Sequence, residues 1–423
     1  MEQIRFNYSM KNIPIPPRNT FLKKLIEKTE HLIKRMRWKA FFYEKSNKED
    51  PPNDDQNNNF GFKSRKCPPQ NDDLALFEND LLNMVKNIQF RNTNDNFQDQ
   101  LRKDIQKINR STKAFIPADK TTNFYELDKK QHDKLLMNSI TTTYKKANDN
   151  NIHDINNEAL NIATKLDLQD RAERMAERNA FITLKDHKDN FDNNSTCRLI
   201  NPAKSEIGRI SKQILEKINT TIRTKTALNQ WKNSLSVIDW YKKIQNKHQH
   251  TFIIFDIESF YPSISKKLLS DAISFAKTYC NITEQDTDII MHARKSLLFN
   301  KGTTWVKKDN NMFDVTMGSY DGAEICELVG LFILKQLTTK YEKDSIGLYR
   351  DDGLAIFKNI TGQQADRIRK DITKQFKQHG LNITIQTNLK IVNYLDVTFN
   401  LKNASYYPYK KPKQQPTLNQ HQI

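Results

Sequence analysis

The stretch Gly347-Leu-Tyr349-Arg350-Asp351-Asp352-Gly353-Leu-Ala-Ile-Phe357 sets two adjacent aspartates between short apolar runs of β character. Such a pattern predicts a β-hairpin, with Asp351-Asp352-Gly353 as its turn and Gly353 supplying the positive φ. Adjacent carboxylates between apolar strands repel each other unless a cation neutralises them, and Mg²⁺ with its preference for oxygen ligands does so. Taken alone, an Asp-Asp-Gly turn is an ordinary hairpin connection. Upstream, Thr251-Phe-Ile-Ile-Phe-Asp256 is a second apolar β run that ends in a carboxylate. It continues into Ile257-Glu-Ser-Phe-Tyr261-Pro262, where an aromatic follows shortly after Asp256 and proline stops the strand. Each segment is ambiguous by itself. Both in one basic chain point to a centre that holds two metal ions.

Outward from these segments, the chain reads in five parts. Residues 1–45 are a basic helical segment, with Leu22, Leu25, Ile26, Ile33 and Met36 spaced as one apolar face over Thr20 to Phe42. Residues 46–71 are a polar linker that includes Pro51-Pro52 and has little to bury. Residues 72–170 are mostly helical, broken by a strand-like stretch from Ala114 to Leu127. A helix over about Asp167 to Arg178 crosses into the part at residues 171–412, which then carries two strands at Phe181–Leu184 and Cys197–Ile200. Helical periodicity returns from Ser205 to Arg223, and residues 413–423 form a basic, polar tail.

Composition narrows the partners. Sixty-eight Lys and Arg against 50 Asp and Glu leave a net charge of +18, which favours a polyanion because neutralised phosphates release counterions. The four cysteines, Cys67, Cys197, Cys280 and Cys326, are far apart in sequence, against a zinc ribbon or a disulfide scaffold. No secretory segment opens the chain and no apolar run has membrane-spanning length, so a soluble intracellular protein with no membrane partner is expected.

The two aspartate segments resemble motifs A and C of reverse transcriptases, with Tyr349-Arg350-Asp351-Asp352 matching the family's Y-x-D-D. Ala180 to Lys188 and Cys197 to Pro202 resemble its fingers hairpin, and Val315 to Glu324 stands where motif B belongs. Gly380 to Ile385 and Asn393 to Leu401 resemble motifs D and E. The combination is most similar to the Penelope-like retroelements, which Ala118-Asp-Lys-Thr-Thr-Asn123 and Ser405 to Pro412 also resemble.

The resemblance implies an α+β fold, a right-hand polymerase with fingers and a palm bearing a small antiparallel sheet. It implies RNA-directed DNA polymerisation on an RNA template and DNA primer with deoxynucleoside triphosphates, and a nuclear location. Asp256 and Asp351 would bridge two Mg²⁺ ions (Mn²⁺ as substitute), with the Ile257 carbonyl as a further ligand and Asp352 as secondary acid. Lys185 and Arg198 would grip the triphosphate. Tyr261 would bar a 2′-hydroxyl, and Gly318 would let the backbone approach the nucleotide. Met317 and Tyr320-Asp321 depart from the usual motif B. Glu324 and Glu327 read as second-layer or surface acids, not metal ligands. Family members continue into a thumb and often a GIY-YIG endonuclease, so a largely missing thumb and a truncated element copy are expected. A catalytically inactive nucleic-acid-binding remnant and an RNA-templated RNA polymerase are the competing readings; Tyr261 disfavours the second.

Overall fold

The computed structural model describes residues 2–4, 21–46, 68–88, 96–120, 123–166, 178–186, 191, 195–202, 206–308 and 312–409. Two compact units emerge: residues 1–137 with 167–171 and 183–198, and residues 138–166 with 172–182 and 199–423.

In the first unit, β1 (Glu2–Ile4), α1 (Phe21–Ser46), α2 (Asp72–Lys86) and α3 (Asn96–Arg110) precede β2 (Ala114–Pro117), β3 (Phe124–Leu127) and the start of α4 (Lys129–Thr143). The basic amphipathic segment is a helix as its spacing predicts. Its Arg37 forks onto Glu78 of α2, with Nε 2.6 Å from one carboxylate oxygen. Those hydrogen bonds hold the Glu78 carboxyl below its usual range, against the opposing pull of burial. α2 starts where Asn71 accepts from the Leu74 amide at 3.2 Å, a side-chain N-cap. Most of the 46–71 linker, the helix expected over Asp167 to Arg178 and the 413–423 tail lie outside the described residues.

The chain continues through β4 (Tyr144–Lys146), α5 (Asp149–Lys165) and the strands β5 (Phe181–Leu184) and β6 (Cys197–Ile200), which pair with each other. Then come α6 (Glu206–Thr226), α7 (Ser234–Lys243), β7 (His250–Ile257), α8 (Phe260–Ser263), α9 (Lys266–Lys277) and α10 (Glu284–His292). β8 (Leu298–Asn300), β9 (Thr303–Lys307), α11 (Gly322–Leu337), β10 (Ile346–Tyr349), β11 (Asp352–Lys358) and α12 (Gly362–Gln378) follow, and β12 (Ile383–Leu389), β13 (Ile391–Tyr394), β14 (Val397–Asn400) and β15 (Ser405–Pro408) close the described chain.

The second unit is built around a four-stranded antiparallel sheet in the order β10–β11–β7–β12. Side chains alternate across β7, and both faces are covered, which is why the run reads as almost continuously apolar. Ile253, Phe255 and Ile257 pack on one face against Leu215 and Ile218 of α6, Leu269 of α9, Phe376 of α12 and the buried side of α11. Phe252, with Leu354 and Ile356 of β11, packs on the other face against Trp231, Trp240, Tyr241, Tyr394 and Phe399. α11 is buried nearly all round, from Ile325 to Leu337, as expected of a helix inside a core. Among the described residues no helix is long and apolar enough to cross a membrane.

Candidate active site

Asp256 is exposed at the end of β7, between buried Phe255 and Ile257. The β10–β11 hairpin brings Asp352 into direct register with Asp256. Opposed residues of an antiparallel pair project to the same face, so both carboxylates leave one side of the sheet. The Ile257 amide donates to the Asp351 carbonyl at 2.9 Å, which ties the hairpin turn to the end of β7. Backbone hydrogen bonding thus gathers all three aspartates at one end of the sheet. Among the described residues no three carboxyl, imidazole or thiol groups close into a metal cage. The donor set, carboxylate oxygens alone, is nevertheless what a hard divalent cation takes.

The hairpin turn differs from the expectation. Tyr349 pairs with Asp352, so the turn is Arg350–Asp351, and Arg350 carries the positive φ of 54°. Gly353 lies inside β11 opposite Phe255. Glycine is needed there for space: an added Cβ would fall 2.1 Å from the Phe255 ring. The Arg350 guanidinium sits over the Tyr349 ring, 5.6 Å from its centroid.

Tyr261 stands on α8, a single turn entered through Ser259 at a φ of 48°. The ring is half-buried, with Cε1 3.2 Å from where a Cβ on Gly322 would be. Burial pushes its phenol up to about 12, helped by Cys326, Asp351 and Glu324 and opposed by Arg350. Tyr261 therefore stays protonated, within electrostatic reach of Asp351. Gly318 has a φ of 111°, and a Cβ there would lie 2.5 Å from the Asn201 carbonyl oxygen. Glycine at 318 is thus demanded by the chain's own packing. Glu324 and Glu327 are occupied by cations, Lys212 at 3.3 Å and Arg223 at 2.8 Å.

Lys185 and Arg198 belong to the first unit, whereas the aspartates belong to the second. The Lys185 amide donates to the Thr196 carbonyl at 2.9 Å, closing the hairpin of β5 and β6. The Arg198 guanidinium, one-third exposed, lies 3.2 Å from Asp119. The Asp119 amide in turn donates to the Leu184 carbonyl at 2.7 Å. Asn123 and Tyr125 donate to buried Asp186 at 2.9 and 3.1 Å. Ala118, Asp119 and Asn123 are therefore docked on the hairpin, a role their sequence did not disclose.

Sequence reasoning also missed a set of buried charges. Asp321, noted only as a departure from motif B, forms an ion pair with Arg294, and both side chains are fully buried. Lys307 and Asp314 are likewise buried and paired, at 3.1 Å. Neither pair has a spacing signature that sequence periodicity would mark.

No known family's sequence model matches this chain, and no curated protein matches it in sequence. Its structure does have likenesses. Telomerase of Candida albicans, solved with the TWJ fragment of telomeric RNA, superposes with a TM-score of 0.52 at 10% identity, over 81% of this chain and 58% of that one. Apo telomerase of Candida tropicalis gives a TM-score of 0.51 at 11% identity, over 77% of this chain and 63% of that one. The same telomerase with the TWJ fragment gives 0.51 at 11%, over 85% and 62%. The chain thus spans about three-fifths of the length of these neighbours. At such identities the likeness speaks to the fold alone, an α+β fold similar to that of these polymerases.

Proposed function

We propose that this protein is an RNA-directed DNA polymerase of a retrotransposable element, similar to the Penelope-like group. The observation that carries the reading is the register of Asp256 with Asp352, with Asp351 bonded to the end of the same strand, in a polymerase fold. Telomerase solved with an RNA fragment is among the structural neighbours, which supports an RNA partner for this basic chain.

In this reading Asp256 and Asp351, with the Ile257 carbonyl, would hold two Mg²⁺ or Mn²⁺ ions, and Asp352 would add negative charge beside them. When bound, such ions lower the pKa of an attacking hydroxyl and stabilise a leaving pyrophosphate. The protein's own part is positioning and charge placement, with no covalent intermediate. The resemblance also assigns Lys185 and Arg198 to the triphosphate, and a planar guanidinium suits phosphate geometry. Tyr261 stands as a neutral wall beside the sugar. Primer, template and deoxynucleoside triphosphates are the implied partners.

The test is extension of a DNA primer on an RNA template in Mg²⁺ or Mn²⁺, with Asp351→Asn as control. Extension by the wild type and none by a folded Asp351→Asn chain is the expected outcome. Equal extension by both would overturn the assignment. Binding of template–primer without extension under either metal would favour the inactive-remnant reading.

A further inference from the structure

The second unit holds a line of buried charge that none of the roles above uses. Tyr144 of β4 and Lys307 of β9 are directly opposed across an antiparallel pair. Asp314 joins them: the Tyr144 hydroxyl donates to one carboxylate oxygen at 2.6 Å, and the Lys307 ammonium lies 3.1 Å from the other. Tyr144, Lys307 and Asp314 are only 7, 8 and 2% exposed. Burial, then the Asp314 charge, pushes the Tyr144 phenol far up, so it remains a donor. Lys307 also donates to the Pro262 carbonyl at 2.8 Å, one residue beyond Tyr261.

A second set of contacts leads to Gly322, beside the same ring. The Asp314 amide donates to the Arg294 carbonyl at 2.8 Å. Arg294 is paired with Asp321, and Asp321 precedes Gly322, against which the Tyr261 ring lies. The network thus bonds directly to Pro262 and, through Asp321, holds the residue next to Gly322.

Burying an ammonium and a carboxylate is weak evidence for stability, because desolvation offsets most of their attraction. What the pair does supply is direction, a charge-assisted hydrogen bond onto one particular carbonyl. α8 needs it: a helix of one turn does not hold itself, since nucleation is unfavourable. We infer that Lys307, held by Asp314 and Tyr144, is a positioning residue that sets Tyr261 against the sugar of the incoming nucleotide and so governs the choice between deoxy- and ribonucleotides. The inference rests on the polymerase reading.

The test compares the wild type with Lys307→Met/Asp314→Asn, which removes both charges together and leaves no buried ion unpaired. Tyr144→Phe, which removes one oxygen, is the milder variant. Ribonucleotide incorporation relative to deoxynucleotide should rise roughly fivefold in the double variant, the equivalent of one lost hydrogen bond of about 1 kcal/mol. Tyr144→Phe should move the ratio the same way by less. A purely structural role would lower both incorporations together, and an unchanged ratio in an active variant overturns the proposal. Crystal structures supply a readout independent of catalysis: the Pro262 carbonyl and the Tyr261 ring should shift in the double variant. A ring left in place overturns the proposal even if the wild type extends nothing, a result that would defeat the polymerase reading instead. Should the double variant fail to fold, Tyr144→Phe decides by the same two measurements.

Discussion

Two single residues carry most of the testable detail at the sheet end. Gly353 faces the Phe255 ring so closely that an added methyl would fall 2.1 Å from it. Gly353→Ala should therefore cost about 1–3 kcal/mol, the usual range for overpacking a tight core. A thermal melt reads this directly, and an unchanged melting temperature would show that Phe255 yields freely. Tyr261 is the other. If its ring bars a 2′-hydroxyl, Tyr261→Ala should raise ribonucleotide incorporation relative to deoxynucleotide by removing a wall, with no new attraction. An active variant with the wild-type ratio would return Tyr261 to ordinary packing against Gly322.

The β10–β11 hairpin is the element on which the site depends, because its two-residue turn places Asp351 beside Asp352, and β11 sets Asp352 opposite Asp256. Arg350 takes the left-handed backbone that such turns require. Arg350→Val should destabilise by roughly 1–2 kcal/mol, since a β-branched side chain fits that region poorly. Arg350→Gly or Arg350→Asn should lie near neutral in stability. Equal melts for the valine and glycine variants would mean that the turn is not under this constraint. The hairpin itself was legible from its two apolar runs. Its exact turn was not, because the pull of glycine toward turns competed with a need for space that only the Phe255 ring reveals.

For the molecule as a whole, buried His292 and half-buried His250 and His379 predict the pH profile of stability. Burial lowers the pKa of His292, with Glu158 pulling the other way, and burial also lowers those of His250 and His379. In each case the folded value lies below the unfolded value of 6.5, so the unfolded chain takes up protons first. The stability they contribute is fully present above about pH 6.5 and is lost as pH falls through the folded values. The melting temperature should decline steadily from about pH 6.5 toward 5, ahead of acid unfolding driven by carboxylates. In His292→Gln the slope over that window should be shallower than in the wild type. A flat wild-type profile there would contradict the burial of these rings.

Sequence by itself determined the palm strands and the three aspartates at their ends. The nearly continuous apolar run of β7 and the apolar runs around Asp351-Asp352 are local patterns, written in consecutive residues. The β5 and β6 strands, the basic helix α1 and the apolar helix α11 were legible for the same reason. Tertiary structure alone decided which distant residues meet. Arg294 with Asp321, Lys307 with Asp314 and Tyr144, and Asp119 with Arg198 join separate segments, and no periodicity marks a buried ion pair. A buried charge must find its counter-charge in space, because leaving it unpaired is costly. The fold makes that choice, and sequence distance says nothing about it.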